Sequence, residues 1–310
     1  MNIFDLVTIG HFSIDHIFSP RLETPTQMLG GSAAYVSFAA RKLGACVGVV
    51  SKVGNDFPEV YTKLLRSNGV DLFGVKKVRN FSTTSFIIKY LDGKRRLLLK
   101  TCAPCFLTED VKLLFKAKVI HVAPIAGEIS SEIVDELREK TNTLSLDPQG
   151  FLRKFAADGK VTLRKWKDKQ VLGQIDVYKS SLQEIKVVTG LRRLKDSMKE
   201  IRNLGPKIVI VTLGRKGAAI FFEETFHRIP NIQSKAFADP TGAGDVFAGA
   251  FLAENINRKD AVWCACVGSA MASFKVETIG PLFSGEKETI YRRAERLYKK
   301  CMQMETHNWL

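Results

Sequence analysis

The chain has 310 residues, 45% apolar and 25% charged, with 23 glycines and 10 prolines, a composition that excludes a disordered or fibrous chain and can bury a sizeable core. Its formal net charge of +15, from 47 basic against 32 acidic residues, is compatible with nucleic acid, an anionic surface or a phosphate-bearing ligand, and does not choose among them. No apolar run reaches the ~18 residues of a membrane span, and the opening MNIFDLVTIG lacks a basic, long-apolar leader, so the expectation is a cytoplasmic protein without a membrane partner.

In chain order, LVTIG (6–10) reads as a strand, AAYVSFAARKLG (33–44) as a helix, VGVVSKVG (47–54) as a strand and EVYTKLLRSNG (59–69) as a helix. The alternation resumes at KVIHVAP (118–124), SEIVDELREK (131–140), TLSLD (143–147), IDVYKS (175–180) and KIVIVTLG (207–214), and ends with helices near 243–254, 259–274 and 286–302. Strands that are apolar runs between helices predict an α/β, doubly wound, mainly parallel sheet covered by helices, with ligands at the carboxyl ends of the strands. A single domain over 1–310 is expected.

Two segments break the rhythm. Residues 11–29 and 73–100, the latter folding back at Asp92-Gly93, alternate every second residue and read as antiparallel pieces projecting from the main layer. A small β lid that excludes water and mere edge strands fit this pattern equally. The six cysteines, including the isolated pair Cys102 and Cys105, have neither a disulfide framework nor zinc spacing and read as free thiols. Basic residues are scattered, and YRRAERLYKK (291–300) reads as the solvated face of a terminal helix, which argues against a nucleic-acid partner.

The chemistry concentrates in ADPTGAGDVFAGAFLA (238–253). Pro240 blocks a helix from upstream, and the apolar period from Val246 onward places a helix start near Ala243. Bared N–H groups and the helix dipole make an anion site there, which Gly242, Ala243 and Gly244 leave unobstructed, with Asp245 in the first turn. An ordinary acidic N-terminal residue explains Asp245 alone but not Asp239, Gly242 and Gly244 with it. No GxxxxGK[ST] occurs, so the chain is not a P-loop enzyme.

GGSAAYVSFAARKLGACVGVVSKVGNDF (30–57) and DPTGAGDVFAGAFLA (239–253) resemble the two signature regions of the PfkB, or ribokinase-like, carbohydrate kinases, and the order of elements fits from IGHFSID to ETIGP (277–281). The resemblance implies ATP and Mg2+ as cofactors, Asp245 as general base, and Gly242, Ala243 and Gly244 as the anion hole. Thr212, Gly214 and Gly217 in VTLGRKGA (211–218) and Gly268 in CACVGSAMAS (264–273) would meet the nucleotide. A buried strand ending in a glycine turn and a small-residue helix face are the structural alternatives. Ser181 and Glu184 in SSLQE stand where the family has NxxE, with Glu184 reaching the metal through water. Thr278 and Gly280, with Asp239, fall where many relatives have a monovalent-cation loop, which ETIGP matches imperfectly.

On the acceptor side, Asp15 matches the carboxylate that grips sugar hydroxyls, Gly30 and Gly31 permit close approach, and Asn55 and Asp56 match the family's VGxD turn. Tyr35 replaces the Asn of ribose-specific relatives. That aromatic, together with LDPQGFLR (146–153) carrying Asp147, Gln149 and Arg153, is similar to the inositol kinase branch, so myo-inositol is the expected acceptor, with another sugar or a nucleoside as the alternative. A non-catalytic ligand-binding protein is the reading from another class, although base and anion loop are both present. Lid strands that pair between subunits in relatives imply a possible homodimer.

Overall fold

The computed structural model describes residues 2–20, 22–91, 94–112, 115–233 and 238–303. The first apolar run forms β1 (Asn2–Ile9), β2 (Ser13–Phe18) and β3 (Thr26–Gly30) leave the main layer, and α1 (Ser32–Lys42) returns to it, followed by β4 (Val47–Val53), α2 (Glu59–Ser67) and β5 (Val70–Lys77). A second excursion, β6 (Thr84–Leu91) and β7 (Lys94–Thr101), precedes α3 (Thr108–Val111), β8 (Phe115–Val122), α4 (Ser131–Arg138), β9 (Thr141–Leu146) and α5 (Gln149–Leu152). The short hairpin β10 (Arg153–Phe155) and β11 (Val161–Leu163) leads into β12 (Val177–Ser181), α6 (Leu182–Thr189), α7 (Leu194–Asn203) and β13 (Ile208–Thr212). The chain closes with β14 (Ala218–Phe222), β15 (Thr225–Ile229), α8 (Ala243–Asn255), α9 (Ala261–Lys275) and α10 (Lys287–Gln303).

Nine strands form the main sheet in the order β15-β14-β13-β12-β9-β8-β1-β4-β5, parallel except at β14 and β15. Every residue of β4 is buried, as an inner strand covered on both faces requires. Phe251, Met271 and Leu297 of α8, α9 and α10 pack on one face, and Ile133, Ile185 and Ile201 of α4, α6 and α7 on the other. This is the expected doubly wound α/β architecture. The chain runs outward from β1 to β4 and β5 in one direction and from β8 to β13 in the other. The reversal lies between β1 and β8, and a crevice opens at their carboxyl ends.

The two excursions make a separate four-stranded sheet, β3-β2-β6-β7, in which β2 is antiparallel to β3 but parallel to β6. Phe73–Lys77 of the second segment belong to the main-sheet strand β5, and the projecting sheet takes up the chain again at Thr84. The proposed turn at Asp92-Gly93 lies outside the described residues. Ile17, Phe86 and Ile88 close the small sheet against Ile125, in the loop after β8, so the lid sits over the crevice. Among the described residues, no helix is long and apolar enough to cross a membrane.

Candidate active site

The crevice begins with a close approach. Register pairs Ser13 with Gly30 and Asp15 with Met28 across β2 and β3. A Cβ on Gly30 would lie 2.1 Å from Asp15 Oδ2 and 2.6 Å from Ser13 Oγ, so only glycine lets the carboxylate reach inward there. Ser13 Oγ donates to Asp15 Oδ1 at 2.7 Å. Burial pushes the Asp15 carboxyl up to about 6, while the Ser13 bond and the charges of Arg95 and Arg153 pull it down.

Asp15, Tyr35, Arg95, Gln149, Arg153 and Asp245 line a cavity of about 80 Å³ between this sheet and the main one, with Phe86 and Ile88 as apolar wall. Arg153 is held in place: its guanidinium donates to the Ile125 carbonyl at 2.6 Å and to Gln149 Oε1 at 2.5 Å, and Gln149 Nε2 donates to Ser32 Oγ at 2.7 Å. Four distant segments thus supply hydroxyl-binding groups to one small space.

The turn into α8 forms the far wall. Gly242 caps the helix in the left-handed region at φ 77°, with the Tyr35 ring 2.4 Å from where its Cβ would be. Asp245, in the first turn, is half-buried, and desolvation raises its carboxyl to about 6; Lys179 opposes the shift, Asp147 adds to it, and a bond from Ser32 and the charge of Arg153 also lower it. Lys179 projects from β12 beneath Gly244, its Nζ 2.9 Å from where a Cβ there would lie, and pairs with Asp147 Oδ2 at 2.5 Å.

Beyond the turn lies a second cavity, of about 660 Å³, lined by Thr212, Gly214, Gly217, Phe247, Ser269 and Ser273 among others. The two cavities share one wall. Gly242 and Asp245 face the small one, Ala243 and Gly244 the large one. Amide donors at a helix start facing one cavity and a carboxylate facing the other can stabilise a transferring anion and accept a proton on opposite sides of a single turn.

The remaining sequence-derived residues are placed as follows. Ser181 and Glu184 form the capping box of α6, Glu184 Oε2 accepting from Ser181 N at 2.7 Å, and Ser181 also lines the large cavity. Gly268 lets α9 close on Phe247, a Cβ there meeting the Phe247 carbonyl at 2.9 Å, whereas Ser269, Ala272 and Ser273 of the same helix line the cavity. Asn55 is exposed in its turn and lines neither cavity, while Asp56 Oδ1 accepts from the Thr83 amide at 2.7 Å and holds the loop before β6. Gly31 caps α1 at φ 91° beside the small cavity. Asp147, expected to contact the acceptor, lines neither cavity and pairs with Lys179.

Of the residues read as a monovalent-cation loop, Asp239 and Thr278 both direct their carbonyls at Lys275 Nζ, and Gly280 turns at φ 87° against Met28. Among the described residues no group of His, Cys, Asp and Glu is arranged to hold a metal by itself.

Sequence reasoning missed Lys179, Arg95, Ser13, Ser32, Tyr90 and Lys275. A lysine inside the apolar strand IDVYKS was a usable signal, because a buried ammonium needs a partner. Arg95 sat in a run indistinguishable from solvated charge.

A doubly wound sheet, a lid over its switch point and two cavities joined at a glycine-rich helix start define a phosphotransferase. Residues 4–288 match the pfkB family carbohydrate kinases, and the chain belongs to that family. It is a kinase of a small hydroxyl-bearing acceptor. It is similar to a cytidine kinase of Thermococcus kodakarensis (30% identity over 81% of this chain and 88% of the relative) and to a nucleoside kinase of Methanothermobacter thermautotrophicus (26%, 89% and 90%). Among solved structures it resembles a pyrophosphate-dependent kinase of the ribokinase family complexed with a pyrophosphate analog and myo-inositol, at 26% identity and TM-score 0.78 over 89% of this chain and 97% of that one. A sulfate complex of a pyrophosphate-dependent kinase in the ribokinase family gives 26% and 0.81 over 92% and 99%.

Proposed function

We propose that the chain transfers the γ-phosphoryl group of ATP to a hydroxyl of a nucleoside. The observation that carries the transfer is the shared wall at 242–245: the acceptor's hydroxyl-bearing end in the small cavity, the donor in the large one, the reacting phosphorus between them. Asp245 takes the proton of the acceptor hydroxyl as its oxygen bonds to the γ-phosphorus, and the bond to the ADP oxygen breaks. The amides of Gly242, Ala243 and Gly244 and the Lys179 ammonium meet the charge on the transferring group, at positions that need no rearrangement.

A cavity of about 660 Å³ supports a whole nucleotide as donor, with Thr212, Gly214 and Gly217 along the phosphates and nucleoside. Magnesium, when bound, neutralises donor phosphate charge. Glu184, whose carboxylate influences Lys179 and Arg153, would hold it through water.

For the acceptor, the Ser13–Asp15 pair with Arg153 and Gln149 suits a vicinal diol, as on a ribose, and Phe86, Ile88 and Leu97 provide an apolar flank for a base beyond it. Similarity to cytidine and nucleoside kinases over more than four fifths of the chain supports this choice. The likeness to a kinase complexed with myo-inositol, and Tyr35 in the cavity wall, support myo-inositol as the second reading. Coupled ADP-release assays over cytidine, uridine, adenosine, inosine, ribose, fructose and myo-inositol decide between them. A nucleoside is expected to lead in kcat/KM; myo-inositol ahead by about tenfold or more would transfer the assignment to the cyclitol, since a lost designed hydroxyl contact costs at least that much.

A further inference from the structure

Lys275, the last residue of α9, is completely buried. A buried ammonium is retained only where its surroundings replace water. Its Nζ donates to two main-chain carbonyls, that of Asp239 at 3.3 Å and that of Thr278 at 2.9 Å, and lies 5.8 Å from the centroid of the Tyr35 ring. Asp239 Oδ1 is taken by the Thr241 amide and the Tyr90 hydroxyl, whereas buried Oδ2 has no partner. Carbonyl dipoles from two loops, an aromatic ring and a nearby carboxylate are the surroundings that a desolvated monovalent cation takes. The carboxyl end of α9 adds the negative pole of a helix. Burial lowers the Lys275 ammonium to about 8 and the Asp239 charge raises it, so it stays protonated at neutral pH.

We propose that Lys275 is a tethered monovalent cation: its ammonium joins the loop at 239–242 to the loop at 276–280, holds the amides of Gly242 to Gly244 in position, and frees the enzyme from any need for potassium. The proposal rests on the phosphoryl-transfer reading of that turn. Lys275 touches no reacting atom and is a positioning residue. Its influence reaches the lid as well, because the Asp239 residue whose carbonyl it holds also accepts from Tyr90 of β6.

The test compares wild type, Lys275→Ala and Lys275→Met in potassium, ammonium, lithium and choline chlorides at constant ionic strength, reading turnover and melting temperature. Wild-type turnover is expected to vary by no more than about twofold among the salts, while Lys275→Ala loses about tenfold or more and recovers saturably with potassium or ammonium but not with lithium or choline. Lys275→Met, which refills the space with an apolar chain, is expected to lose turnover without recovery. A wild type activated by potassium, or a folded Lys275→Ala that recovers no better in potassium or ammonium than in choline, overturns the proposal. If Lys275→Ala melts early, its melting temperature carries the test: a rise in potassium and ammonium over choline supports the tethered cation, and equal values overturn it. This melting readout needs no acceptor, so it is distinct from failure of the kinase reading, which would appear as a wild type inert towards every acceptor.

Discussion

Lys179 and Asp147 form a buried ion pair, Nζ to Oδ2 2.5 Å, directly beneath Gly244. Burial opposes the Lys179 charge, but Asp147, Asp245 and Glu184 together hold it well above an ordinary lysine, so the ammonium is permanent. Lys179→Met leaves Asp147 charged and unpaired and is expected to cost ~3–5 kcal/mol of stability, whereas Lys179→Met with Asp147→Leu restores most of it. Turnover is expected to stay down by about 10²-fold or more in both variants, because the positive charge beneath the 242–245 turn is gone. Denaturant unfolding and single-turnover rates separate the two effects; a double variant with near-native turnover would reduce Lys179 to a packing role.

Asp245→Asn is expected to lower turnover by about 10²–10⁴, the range for a lost general base. It is also expected to stabilise the fold at neutral pH. The Asp245 carboxyl titrates near 6 in the folded chain against 3.8 as its reference, so the folded state holds the proton more tightly and loses stability as pH rises between these values. By pH 8 that penalty reaches about 3 kcal/mol at most, and an amide escapes it. Melting temperatures of both proteins at pH 4, 5 and 8 check this: the variant's advantage should be small at pH 4, reach about half its size at pH 5 and be complete by pH 8.

The pH dependence of kcat/KM follows from the same groups. Asp15 and Asp245 both sit near 6, and the proposed reaction needs both as carboxylates, one to bind the acceptor and one to take its proton. The rate is therefore expected to fall below pH about 6 with a limb steeper than one proton. Asp15→Asn should weaken acceptor use and leave a single-proton limb. A wild-type profile flat down to pH about 4.5 would be incompatible with this assignment.

Tyr90 latches the lid to the catalytic loop: its hydroxyl donates to Asp239 Oδ1 at 2.5 Å and lies 2.7 Å from Thr241 Oγ1. Tyr90→Phe keeps the ring and removes both contacts, leaving Asp239 Oδ1 with the Thr241 amide alone, at a cost of about 1–3 kcal/mol. The expected result is a raised acceptor KM and more ATP hydrolysis per transfer, because a loosened lid admits water. Measuring ADP release with and without acceptor checks the partition.

Much of this site was legible from one stretch, because a helix start is a local event. Pro240, Gly242 and the period beginning at Val246 act through their own neighbours, and the structure starts α8 at Ala243. The parallel sheet was legible for the same kind of reason: a run such as VGVVSKV belongs between two covered faces wherever it lies.

Partnership between distant residues was not. Asp15 on β2, Arg95 on β7, Arg153 after α5 and Asp245 on α8 face one cavity because the strand order reverses between β1 and β8 and the lid folds over that point. Lys179 meets Asp147 because β12 lies beside β9 in parallel register, and Lys275 meets Asp239 and Thr278 because α9 ends where two loops converge. Helix starts and strand periods depend on dihedrals and neighbours a few residues away, which the sequence spells out. Which charges share a cavity depends on sheet order and register, and these follow from burying the whole core at once.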